Sequence, residues 1–141
     1  MAERVAIERA NGAGLSGVEF TSAATSTEEI GAPIDPRAVR TLASAGYRTD
    51  GHRAHQVTAD EVEQADLVIA MEDLHVDRIR RIAHPADLEN VHLLSEFDPR
   101  AEPGSGVPDP WYGGDDGFDR TLGMIESAMP GVLDRVRELQ R

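Results

Sequence analysis

The sequence predicts an α/β fold, a three-layer αβα sandwich built around a small parallel sheet. Short apolar runs alternate along the chain with segments of helical periodicity, the pattern of strands separated by covering helices. The run Leu67-Val68-Ile69-Ala70-Met71 is apolar throughout, as in a parallel strand buried on both faces; a one-sided antiparallel strand would alternate. A length of 141 residues, 40% of them hydrophobic, suits one domain with a buried core, and a single domain over 1–141 is expected.

The elements follow in order. Ala2 to Ala10 reads as an amphipathic helix, with Val5, Ala6 and Arg9-Ala10 at helical spacing, yet nothing ahead of it caps the first turn. In this fold class the uncapped start implies an absent strand and the turn that enters the helix, the place where anions meet exposed N–H groups. Val18–Ala23 reads as a strand. Asp35 is an N-cap with Pro36 at the first helical position, Val39, Leu42 and Ala43 form the apolar stripe, and Gly46 is the stop. Thr58 to Glu61 is a capping box opening a short helix to Ala65. Leu67–Met71 is the second strand, Asp73–Ala83 a helix closed by Pro85, and Val91–Leu94 the third strand. Phe118, Leu122, Ile125, Met129, Val132, Leu133, Val136 and Leu139 mark one face of a terminal helix, which Pro130-Gly131 should kink or split.

Composition removes several kinds of chemistry. Twenty-six acidic against fourteen basic residues give a net charge of -12, a surface that repels a phosphate backbone, so no nucleic-acid partner is expected. There is no cysteine, hence no disulfide, thiolate metal site or cysteine nucleophile. Every basic residue is Arg, which excludes a Schiff-base lysine and the lysine of a P-loop. No apolar run approaches the roughly eighteen residues of a membrane span, and the first residues lack a signal-peptide core. A soluble, cytoplasmic protein without a membrane partner is expected.

Ligands should bind outside the carboxyl ends of the strands, and the Gly-, Pro- and Asp-rich stretch from Asp98 to Gly117 is too long for a plain connector. Within it, Val107-Pro108-Asp109-Pro110-Trp111-Tyr112-Gly113-Gly114 holds a carboxylate between two prolines beside two aromatic rings. That combination suits a general acid protonating a leaving oxygen next to a planar group, or else an Asp-Pro turn tacked to the core by its rings. Ser22 to Thr27 sets hydroxyls at a strand's carboxyl end, as ligand contacts or as turn hydrogen bonds. His52 and His55 stand three apart with no third ligand at a recognised spacing, so no metal is expected. Asp115-Asp116-Gly117 lacks the spacing of a calcium loop and reads as entry to the last helix.

Together these segments resemble the low molecular weight protein-tyrosine phosphatase family across essentially the whole chain. The landmarks are Met1-Ala2-Glu3, Ser22-Ala23-Ala24-Thr25, Asp35-Pro36-Arg37-Ala38, Gly51 to Gln56, Leu67–Met71, Phe97-Asp98-Pro99 and Pro108-Asp109-Pro110-Trp111-Tyr112-Gly113. The resemblance implies that Asp109 is the general acid, that Trp111 and Tyr112 flank the substrate ring, and that Ser22 and His52 steady the phosphate loop. It also implies a phosphotyrosyl protein or small aryl phosphate as substrate and no cofactor.

Three departures stand out. The family's phosphate loop, with its nucleophilic Cys and phosphate-binding Arg, precedes the Met-Ala-Glu helix, and this sequence starts at that Met. The strand leading into that loop, a central one in the family's sheet, is absent, so the domain is expected to be N-terminally incomplete. Glu28 stands where members often carry an aromatic wall residue, and Thr21 where an Asp is frequent. Without a thiolate no cysteinyl phosphate forms, and the chain is expected to be inactive as it stands. The alternative from another class is a non-catalytic phosphotyrosine-binding or regulatory module. Arsenate reduction on the same fold is disfavoured, because it needs a relay of cysteines.

Overall fold

Two short parallel strands, β1 (Val68–Ala70) and β2 (Val91–Leu93), pair with Val68 opposite Val91 and Ala70 opposite Leu93 in the computed structural model, which describes residues 1–26, 30–110 and 115–141. Both lie inside the expected apolar runs and are shorter by a residue or two. The helices are α1 (Ala2–Gly12), α2 (Pro36–Ser44), α3 (Ala59–Gln64), α4 (Asp73–Ile82) and α5 (Asp115–Leu139), with 3-10 turns at Pro85–Asn90 and Leu94–Phe97. α4 packs on both strands, while α1 and α2 pack against α5. The fold is therefore α/β with a small parallel sheet.

Local sequence accounts for most helix ends. The Asp35 side chain accepts the Arg37 N–H at 2.8 Å, with Pro36 at the first position of α2. Thr58 accepts the Glu61 N–H, and Glu61 reaches back to the Thr58 N–H, which completes the expected capping box. Met1 is the N-cap of α1 and supplies no side-chain cap, as the sequence implied. The core gathers Val5 and Ala6 of α1, Leu42 of α2, Leu94, and Ile125 and Met129 of α5. At the edge of the core, the Tyr47 hydroxyl donates to Glu126 at 2.6 Å, and Arg9 donates to both.

Two expectations are corrected. Val18–Ala23 forms no strand; its one ladder contact lies just beyond, where Ala24 bridges Gln56 through the Ala24 N–H to the His55 carbonyl and the Val57 N–H to the Ala24 carbonyl, both 2.8 Å. A strand exists only through a partner's backbone, and none runs beside this segment among the described residues. Pro130-Gly131 does not split the last helix, because α5 is continuous through it. Pro130 costs one intrahelical hydrogen bond, and Gly131 lets the helix lie against the chain at Phe97: a Cβ there would stand 2.3 Å from the Phe97 carbonyl oxygen.

Candidate active site

Two of the sequence-derived site residues meet on a third that sequence reasoning missed. Glu3, in the first turn of α1, accepts a hydrogen bond from the Ser22 hydroxyl and lies 3.5 Å from His52 Nδ1. All three side chains are mostly buried or half-buried. An acid in a helix's first turn is electrostatically ordinary, so nothing in the sequence marks Glu3 as a site residue. Its helical position alone gave no sign that two remote segments converge on it. Burial, as the largest influence, pulls the His52 pKa below its usual value, and the nearby Glu3 carboxylate pulls it back up. The hydroxyl at Ser22 is thus not merely a local turn bond.

The Asp109 loop has separate supports. Val107 is buried and donates its N–H to the Met71 carbonyl at 2.8 Å, which ties the loop to the carboxyl end of β1, where this class of sheet places its ligands. Next to it, a Cβ on Gly106 would stand 3.1 Å from Glu72 Cγ and 3.4 Å from the Met71 oxygen, so close an approach favours glycine. Beyond Asp109, Pro110 lies against Gly117 at the start of α5, and the Thr121 hydroxyl donates to the Pro108 carbonyl at 3.4 Å. The expected carboxylate is therefore exposed on a loop pinned on both sides. Trp111, Tyr112 and Glu28 lie outside the described residues.

Separately, Thr25 accepts a hydrogen bond from Arg78 of α4 at 3.1 Å. His55 does not join His52 on a common partner; it pairs with Glu61 at 2.8 Å. Among the described residues no group of three or more metal-ligating side chains is arranged to hold an ion. None of their helices is long and apolar enough to cross a membrane.

Comparison with known proteins bears on this arrangement. A family model described as low molecular weight phosphotyrosine protein phosphatase matches residues 1–141. A low molecular weight protein-tyrosine-phosphatase of Streptomyces coelicolor is 42% identical over 141 residues, covering 98% of this chain and 85% of that protein. Low molecular weight protein-tyrosine phosphatase A of Mycobacterium tuberculosis is 36% identical over 140 residues, covering 98% and 83%. The crystal structure of a protein tyrosine phosphatase from Entamoeba histolytica superposes with a TM-score of 0.91 at 23% identity, covering 99% of this chain and 89% of that one; at that identity the likeness concerns the fold.

Proposed function

The chain belongs to the low molecular weight phosphotyrosine protein phosphatase family, and from that membership we propose that its site serves hydrolysis of phosphotyrosine or aryl phosphate monoesters, with Asp109 as the general acid. The observation that carries the reading is the pinned loop. A proton donor must hold its place while the leaving oxygen departs, and the ties at Val107 and at Pro108–Pro110 fix the chain on either side of Asp109. Trp111 and Tyr112 flank the substrate ring in this reading. Ser22 and His52, joined through Glu3, steady the loop that cradles the phosphate, whose N–H groups must stay aimed at three phosphoryl oxygens.

The nucleophile is not among these residues, since the 141 residues include no cysteine. In the phosphatase reading the thiolate and the phosphate-binding Arg come from sequence outside them, on a strand that completes a three-layer αβα sandwich. Without a thiolate the 141 residues by themselves do not turn over. No metal or cofactor takes part in the reaction as we propose it, and the compartment is the cytoplasm. The absence of cysteine also favours a second reading, a non-catalytic module that binds phosphotyrosine or regulates.

Turnover decides between them. The 141-residue chain and the same chain extended upstream by a family-type strand and Cys-to-Arg loop are each assayed with an aryl phosphate. Activity confined to the extended chain supports the phosphatase reading. An extended chain that folds, binds the aryl phosphate and leaves it intact supports the binding module.

A further inference from the structure

Helix α4 and the two residues before it contact two segments of the candidate site. The helix's N-terminal end follows β1 directly, where Met71 holds the Val107 N–H at 2.8 Å and Glu72 lies against Gly106. Farther along, Arg78 Nη1 donates to Thr25 Oγ1 at 3.1 Å. Of the three arginines in α4, only Arg78 is half-buried; Arg80 and Arg81 are exposed, with Arg80 paired to Asp77. Partly desolvating a guanidinium and freezing its rotamers for a neutral hydroxyl acceptor is unfavourable unless the contact fixes something. The segment it reaches has few other ties. Val18–Ala23 forms no ladder, and Ser22–Thr25 is held among the described residues by Ser22 on Glu3, the single Ala24–Gln56 bridge and Arg78.

We propose that Arg78 is a positioning residue, which through Thr25 fixes the Ser22–Thr25 segment relative to the Asp109 loop, itself tied to Met71 and Glu72 immediately before the same helix. That this spacing serves a phosphatase rests on the reading above; the tether itself does not.

Amide hydrogen exchange on the 141-residue chain tests the tether without turnover. Arg78→Met keeps the apolar stem and deletes the donor. It is expected to speed exchange of the Ala24 and Val57 amides, which close the bridge, roughly five- to tenfold, as for loss of one partly buried hydrogen bond. Amides within α5 should keep their rates, and Arg78→Lys, which retains a donor, should recover part of the protection. Three results overturn the proposal: unchanged exchange at Ala24 and Val57, equal acceleration throughout α5, or a Lys variant as fast as the Met variant. In the upstream-extended chain, Arg78→Met should raise KM for an aryl phosphate about threefold with a smaller change in kcat. An active parent indifferent to the substitution removes the positioning role and leaves the phosphatase reading standing. An inactive parent counts against that reading alone, and exchange still decides the tether.

Discussion

The Val107 N–H donates to the Met71 carbonyl across 2.8 Å, so the loop that carries Asp109 is fastened to the carboxyl end of a sheet strand two residues before the carboxylate. The neighbouring Gly106 makes that contact close, since a Cβ there would stand 3.1 Å from Glu72 Cγ. Gly106→Ala is expected to push the loop off its tie and cost about 1–2 kcal/mol. Glu72→Ala removes the obstructing Cγ, so in the Glu72→Ala background the same glycine substitution should cost less. A double-mutant cycle by denaturant unfolding measures the difference, and strict additivity would contradict the close approach.

A pair of glycines tests the packing of α5. Gly131→Ala would place a methyl 2.3 Å from the Phe97 carbonyl oxygen, a backbone atom with little room to yield, and is expected to cost about 3 kcal/mol or more. Gly123→Ala, in the same helix with nothing within 4 Å, should instead stabilise by about 0.5–1 kcal/mol. Thermal melts of the two variants should therefore move in opposite directions.

These two sites also mark the limits of reading the sequence. α2 and α3 were legible because their caps are local: Asp35-Pro36 and the Thr58–Glu61 box act over three or four residues. β1 and β2 were legible because buried parallel strands are written as apolar runs. Val18–Ala23 has the composition of a strand, but a ladder depends on a partner elsewhere in the chain, and local propensity does not supply one. Pro130-Gly131 reads as a kink or a split, whereas α5 runs through it unsplit, with Gly131 packed close against Phe97. In the candidate site, Asp109, Ser22 and His52 are expected from residue types in an order resembling a family. Glu3 and Arg78 were missed because an acid in a first helical turn and an arginine in an Arg-rich helix are unremarkable until their distant partners are known.

Burial of His52 makes stability depend on pH, and its contact with Glu3 moderates that dependence. Burial holds the His52 imidazolium below the ordinary value near 6.5; the Met1 ammonium, Arg4 and His55 act in the same sense, and Glu3 opposes them. The unfolded chain therefore takes up this proton at higher pH than the folded one. His52's contribution to stability is complete above about pH 6.5, falls as the pH drops below it, and levels off once the folded imidazole is also protonated. Glu3→Gln removes the opposing charge and should steepen the fall, whereas His52→Gln should flatten it. Melts of the parent and both variants between about pH 7.5 and 5 read these differences. A parent slope unchanged by His52→Gln would assign the pH dependence to other groups.

The central claim, that Asp109 is the proton donor of a phosphatase site, is tested most directly by the leaving-group dependence of hydrolysis in the upstream-extended chain. Only a poor, high-pKa leaving group needs a proton in the transition state. Asp109→Asn is expected to slow hydrolysis of aryl phosphates with such groups by about two to four orders of magnitude, and those with good leaving groups far less, while the cysteinyl phosphate still forms. If the phosphoenzyme accumulates and Asp109→Asn leaves poor-leaving-group substrates untouched, the assignment is wrong, and Asp98 becomes the next carboxylate to test.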